Sequence, residues 1–314
     1  MCLLALQQIY GFEEKNCFYC NSTITKKNGK KGVKQLYKCF ACGKQFIGGN
    51  RLNPDQIWQE YVQGKQTYFQ LSQKYNCSIK TIQRKIDLVK PLRKTSFPDV
   101  VNVLMDTTYF GRSFGVMVFK DSISGTILFK KYVKQETNKL YIEGLEEIIR
   151  RGIKIQSIIC DGRRGLLNLL PEIPIQMCNF HQVAIIRRYL TKNPKMQASK
   201  ELWEHTLLLV RTDKASFEGG LSDWYSKWKD FLNEKKIDEK GKNRYIHKNL
   251  RSAYRSLNTN LPWLFVWYDN IQLNIPNTTN SIDGHFAGLK NKLRNHNGLS
   301  ISRKQKFIDE FLKA

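Results

Sequence analysis

The sequence predicts an α/β protein: a mixed five-stranded sheet with a helical insertion, preceded by two small modules. Three observations predict it. Two apolar runs, "VVNVLMDTTYFG" from Val100 and "IKIQSIICDG" from Ile153, have the length and β-branched content of buried strands. Around them the pattern runs three strands, helix, strand, helix, strand, helix. Ahead of them, a regular cysteine spacing and three short amphipathic segments read as separate small units, over 1–50 and 51–92, with the sheet domain over 93–314 and its insertion over about 195–275.

The first module rests on four of the eight cysteines. Cys17 and Cys20 in "CFYC" and Cys39 and Cys42 in "CFAC" form two C-x2-C knuckles eighteen residues apart. Each knuckle turns two sulfurs toward one point, and four thiolates satisfy one tetrahedral Zn2+. The residues between read as a basic hairpin with turns at Asn28-Gly29 and Lys31-Gly32. So small a segment has little core, and one structural Zn2+ would supply its folding energy. The alternative, two disulfides in a secreted module, lacks a leader: "MCLLALQQIYGFEEK" is short and has no basic n-region. The chain is therefore read as intracellular, its thiols reduced. Cys2, Cys77, Cys160 and Cys178 read mostly as small apolar fillers.

The second module spans three helices near 54–63, 67–75 and 78–89. Ile79, Ile82 and Ile86 mark an inner stripe on the last, Ser78 caps it, and Lys80, Thr81, Gln83, Arg84 and Lys85 lie opposite. A helix-turn-helix offers such side chains to a major groove; a small three-helix bundle without that role has the same pattern. "PLRKTSFPD" then reads as a linker.

In the sheet domain, "VVNVLMDTTYFG" is read as a strand ending at Asp106, "SFGVMVFKDSIS" and "GTILFKKYVKQ" as antiparallel neighbours, and "NKLYIEGLEEIIRRG" as a helix with Leu140, Leu145, Ile148 and Ile149 near its inner face. "IKIQSIICDG" is a strand ending at Asp161, "RRGLLNLLPE" a short helix, "PIQMCNF" a strand and "HQVAIIRRYLT" a helix. This order fits an RNase H-like sheet, in which the first and fourth strands are neighbours and Asp106 and Asp161 stand side by side. Paired carboxylates repel unless a cation intervenes, and hard oxygen ligands suit Mg2+ or Mn2+. Taken singly, each Asp also fits a turn, as "DTT" and "DG" do.

One more acid stands out. Asp283, in "TTNSIDGHFAGLK", is the sole carboxylate between Asp269 and Asp309 in a basic region. It reads either as a helix-start acid complementing the macrodipole or as a metal ligand. Asn280 is read as the cap with Asp283 at the third helical position, and Lys290 returns to the same face about 10 Å on.

Charge points to the partner. Fifty-two Lys and Arg against 27 acids give a net charge of +25, spread along the chain. Self-repulsion makes that costly unless a polyanion, nucleic acid foremost, offsets it. No apolar run reaches the roughly 18 residues of a membrane span.

Together, "CFYC…CFACGKQF", "LMDTTYFG", "IICDGRRG", "CNFHQ" and "TTNSIDGHFAGLKNKLRNHNGLS" resemble the bacterial insertion-sequence DDE transposases of the Mutator-like type with an N-terminal zinc ribbon, in the retroviral-integrase superfamily. The resemblance runs from about Asn16 to the end. It implies that Asp106, Asp161 and Asp283 form a catalytic triad holding two Mg2+ (or Mn2+) ions, with Asp106 shared. It also implies that Cys178 and His181 match the family's C-x2-H signature, as supporting residues with Asn280, as DNA-positioning groups or as a packed core pair. Lys290 and Arg294 would contact DNA. The usual third acid is Glu, and Asp283 departs from that; the departure fits either a shifted helix or a decayed copy. The implied activity is transposition: phosphodiester hydrolysis at a transposon end, then strand transfer to target DNA, by a homodimer or higher oligomer in the bacterial cytoplasm, associated with the nucleoid. The partners are double-stranded terminal inverted repeats and target DNA, with no membrane. The rival readings are a non-catalytic DNA-binding protein and a structure-specific nuclease.

Overall fold

The structure, a computed structural model, describes residues 15–47, 52–92, 95–163, 165–168 and 170–313. Cys2, the opening segment and the predicted module boundary at 50–51 lie outside them. The chain separates into two compact units, one up to Tyr61 and over Tyr68–Val89, the other over Val62–Thr67 and from Lys90 onward. The cysteine module and the three helices thus fall in one unit.

In the first unit, strands β1 (Thr25–Lys31), β2 (Lys34–Cys39) and β3 (Gln45–Ile47) form an antiparallel sheet in that order. The reversal falls at Gly32-Val33, while Asn28-Gly29 lies inside β1 as an irregularity in register. Gly29, at φ 77°, takes a conformation that costs other residues strain. The core is minute: Tyr37 stacked on Phe46, with Cys17 and Cys39. Helices α1 (Pro54–Val62), α2 (Tyr68–Lys74) and α3 (Ile79–Leu88) follow. Ile57, Trp58, Tyr61, Leu71, Ile82 and Ile86 are buried. Ser78 caps α3, its hydroxyl accepting the Thr81 N–H at 3.2 Å. Ile79 is exposed, because it opens the helix a turn before the packed stripe.

The second unit is a five-stranded sheet, β4 (Val100–Phe110), β5 (Phe114–Asp121), β6 (Ile127–Val133), β7 (Lys154–Cys160) and β8 (Ile175–Met177). Its order is β6-β5-β4-β7-β8, with β4-β5-β6 antiparallel and β4-β7-β8 parallel. This is an RNase H-like sheet. β4 does not end at Asp106: it runs on to Phe110, paired with β5, whereas its pairing with β7 stops at Leu104↔Ile159. α4 (Asn138–Arg150), capped by Thr137, buries Tyr141, Gly144, Leu145 and Ile148, a helical stripe that leaves Ile149 exposed. Gly144 admits the Phe119 ring, whose Cζ lies 2.1 Å from where a Cβ would stand. The "RRGLLNLLPE" stretch makes a turn rather than a helix over its described residues, with Gly165 at φ 80°.

After α5 (Asn179–Leu190) comes the insertion: α6 (Gln197–Leu208), α7 (Lys214–Asn233), a hairpin of β9 (Lys235–Ile237) and β10 (Asn243–Tyr245), and α8 (Lys248–Leu264). All six hairpin-strand residues are exposed, so no apolar alternation announces them. Side-chain amides on the sheet hold the return. Gln176 Nε2 donates to the Leu264 carbonyl at 3.1 Å, and its Oε1 accepts the Trp267 N–H at 2.9 Å. Asn102 Nδ2 and Gln156 Nε2 both donate to the Leu273 carbonyl, at 2.8 and 2.9 Å. The chain then passes through the short α9 (Val266–Asp269) into α10 (Asn280–Leu293) and α11 (Ile301–Leu312). Among the described residues no helix is long and apolar enough to cross a membrane.

Candidate active site and metal cluster

Asp106, on β4, and Asp161, the residue that follows β7, each lie two steps beyond the last β4–β7 pair, Leu104↔Ile159. Asp106 is held by its neighbour, Oδ1 accepting the Thr107 N–H at 2.7 Å. Burial pushes the Asp106 carboxyl up to about 7; the Thr107 N–H opposes this, Asp283 and Asp161 add to it, and the nearby His181 pulls back. Asp161 is raised too, by burial first and then by Glu136. Asp106, Asp161, Asp283 and His181 therefore share one electrostatic environment, although they come from β4, the end of β7, α10 and α5.

Asp283 reaches this point because the start of α10 is tied down on two sides. Thr279, not Asn280, occupies the cap position, which puts Asp283 at the fourth helical residue. Thr279 is fully buried; its N–H and hydroxyl both lie 3.3 Å from Cys178 Sγ, and the hydroxyl lies 3.2 Å from Asp283 Oδ2 and 3.5 Å from His181 Nδ1. Asn179 N–H also donates to the Asn277 carbonyl at 2.9 Å. From β5, buried Lys120 donates to the Ser281 carbonyl and hydroxyl at 3.0 and 2.7 Å. Burial works against the Cys178 thiolate, yet hydrogen bonds from His181 and Thr279 bring its pKa down, and the Cys178 bond lifts His181 to about 9. The C-x2-H pair is thus fastened through Thr279 to the start of the helix that carries Asp283. Asn280 is exposed and makes no side-chain hydrogen bond to any described residue.

Sequence reasoning missed the residues behind these acids. Tyr141 OH lies 3.1 Å from Thr107 Oγ1 and donates to Glu136 Oε1 at 2.6 Å. Arg163 donates to the Glu136 carbonyl and to Asn138 Oδ1, at 2.9 and 2.8 Å. The sequence reading placed Tyr141 within a helix but gave the inner face to Leu140, Leu145, Ile148 and Ile149; an acid just ahead of a cap residue reads as ordinary surface.

Two clefts open in this unit, and the second is walled by Asp161. One, of about 430 Å³, lies where β4 meets α10 and is lined by Tyr109, Phe110, Lys290, Arg294 and Lys304. The other, of about 680 Å³, lies on the β7 side, between Asp161, Arg163 and the α5 residues His181, Ile185, Arg187 and Arg188. In the first unit, Lys80 and Arg84 are exposed on α3, and Thr81, Gln83 and Lys85 are partly so.

The cysteines make a second, different centre. The sulfurs of Cys17, Cys20, Cys39 and Cys42 all lie within 4.8 Å of one another, with Cys17–Cys42 at 3.5 Å and Cys20–Cys39 at 3.6 Å. A tetrahedron with metal–sulfur bonds of about 2.3 Å needs sulfur separations near 3.8 Å, so the donors fit Zn2+ in number, kind and spacing. Among the described residues this is the only such gathering of three or more His, Cys, Asp or Glu ligands; the three carboxylates are less tightly drawn together.

No protein-family model and no curated protein matches the chain. Among solved structures it is similar to the HTLV-2 integrase catalytic core domain in complex with magnesium (15% identity, TM-score 0.23, 48% of this chain and 96% of that one). It is similar to the simian T-cell lymphotropic virus intasome in complex with a PP2A regulatory subunit (14%, TM-score 0.21, 64% and 68%). It is also similar to the Drosophila P element transposase strand transfer complex (10%, TM-score 0.37, 85% and 92%).

Proposed function

We propose that the protein is a DNA transposase of the DDE type, with Asp106, Asp161 and Asp283 as its catalytic carboxylates. What supports this is the approach of Asp283 and Asp161 to Asp106, a half-buried acid raised to about 7 first by burial and then by those two carboxylates. Such an arrangement is costly unless a cation joins it, and oxygen donors with room between them suit Mg2+ or Mn2+, two per site. Bound there, the ions would activate water and stabilise leaving oxygens at phosphorus.

The chain's own residues do the rest. Lys290 and Arg294 hold a phosphodiester at the acids. Cys178, His181 and Thr279 keep Asp283 facing Asp106. The zinc-held ribbon and α3, through Lys80, Thr81, Gln83, Arg84 and Lys85, bind the terminal repeats. The chemistry is hydrolysis at the element's end followed by joining of the freed 3′-hydroxyl to target DNA, in a dimer or larger assembly in the bacterial cytoplasm. Asp283 in place of Glu is accommodated because the tethered helix start brings a shorter side chain to the same point.

Purified protein, Mg2+ and labelled terminal-repeat DNA test this directly. Joined products are expected. Cutting without joining would make it a nuclease, and binding alone a non-catalytic DNA-binding protein.

A further inference from the structure

We infer that the β7-side cleft is the seat of the target strand, held by Arg187 and Arg188. This rests on the transposase reading and assigns a surface that reading leaves unused. Strand transfer is an in-line displacement. The end's 3′-oxygen forms a new bond to phosphorus, the target's own P–O3′ bond breaks, and the freed 3′-oxygen takes the proton the attacking hydroxyl gave up. Nucleophile and leaving group lie on opposite sides of that phosphorus, so the two DNAs need opposite flanks of the carboxylates.

The sheet supplies two flanks. Lys290, Arg294 and Lys304 line the cleft at β4. The other cleft opens beside β7, is walled by Asp161 and is the larger of the two. His181, Ala184, Ile185 and Arg188 share one face of α5, at spacings of three, four and seven. Ala184 and Ile185 form an apolar floor suited to deoxyribose faces. Arg187 and Arg188 are exposed and form no ion pair with any described residue, whereas Arg163 is taken up by Asn138 and Glu136. Two guanidiniums without carboxylates, beside a wall of the acid site, match phosphate oxygens in charge and geometry.

The test is an R187E/R188E double variant, with an unchanged thermal midpoint as the folding control. Joining is measured against target-DNA concentration, and hydrolysis at a labelled end in parallel. The half-saturating target concentration is expected to rise roughly tenfold or more, the scale of a lost charge-assisted bond to phosphate, with end hydrolysis unchanged. Anisotropy with a labelled duplex lacking any terminal repeat gives a readout independent of catalysis, and its salt-dependence slope should fall by about one per arginine. Equal losses in hydrolysis and joining, or no change in target dependence and slope, would overturn the assignment. If wild-type protein neither cuts nor joins, the transposase reading itself fails, while the anisotropy slope still reports whether the arginines grip a duplex.

Discussion

The cysteine cluster draws its four ligands from two knuckles joined by one hairpin, and the sulfurs crowd to within 4.8 Å. The carboxylate site draws its acids from a strand, a strand end and a helix on the far side of the insertion, and leaves them looser. The first is closed, as a centre whose work is holding a fold requires. The second is open, as the proposed reaction, which must admit water and phosphate oxygens, requires. Local sequence specifies the closed centre; tertiary topology specifies the open one.

The contrast breaks most sharply on metal withdrawal. Removing zinc should unfold the ribbon outright, since structural zinc supplies about 10–16 kcal/mol in zinc-finger peptides. Amide exchange over 15–47 should become unprotected while β4, β5 and β7 keep their protection. A ribbon that stays protected without metal would remove the distinction.

Asp106→Asn should do the reverse. Joining should fall by roughly 10³-fold or more, the scale of losing a charge-stabilising group in a buried site. The fold should survive, and at neutral pH without Mg2+ the variant should be the more stable protein. Wild-type joining rates in Asp106→Asn would take this residue out of the reaction.

The pH dependence follows from the same residue. The Asp106 carboxyl titrates near 7 in the fold against 3.8 ordinarily. A raised acid contributes its stability in full below the unfolded value and loses it as pH rises through the folded value. Relative to Asp106→Asn, the wild type with zinc supplied and magnesium withheld should therefore lose stability between about pH 4 and 7, by at most roughly 4 kcal/mol. Mg2+ should restore it. Parallel melting curves across that range would contradict the buried, crowded carboxylate.

The smallest effect concerns the tether. Cys178→Ala removes the acceptor of both Thr279 bonds, so Asp283 is held less firmly. Mg2+ affinity, read by titrating end hydrolysis, should weaken about 10–100-fold, as when an outer-shell partner is lost. Cys178→Ser should recover part of it. Equal Mg2+ dependence in all three proteins would reduce the C-x2-H pair to packing.

How much of this was legible follows the same division. The four cysteines, the strand order and the two strand-associated aspartates can be read directly, because each is a pattern within a short window. Even there, β4 outruns its reading: its pairing with β5 carries it past Asp106 to Phe110, and periodicity cannot see which partner continues. Thr279 was passed over for Asn280, the better cap by propensity, because its hydroxyl is engaged by Cys178, a residue distant in sequence. Glu136 and Arg163 acquire meaning only once β6, α4 and β7 are assembled. The polar β9–β10 hairpin carries no periodic signal at all.

The amides of Asn102, Gln156 and Gln176 clasp the insertion where it rejoins the sheet, and the residues of the β9–β10 strands are all exposed. The turn at Lys240-Gly241 is therefore where a fluorescent reporter or affinity peptide could be spliced. With the clasp intact, such a graft would leave the register of α10, and the placement of Asp283 that depends on it, undisturbed.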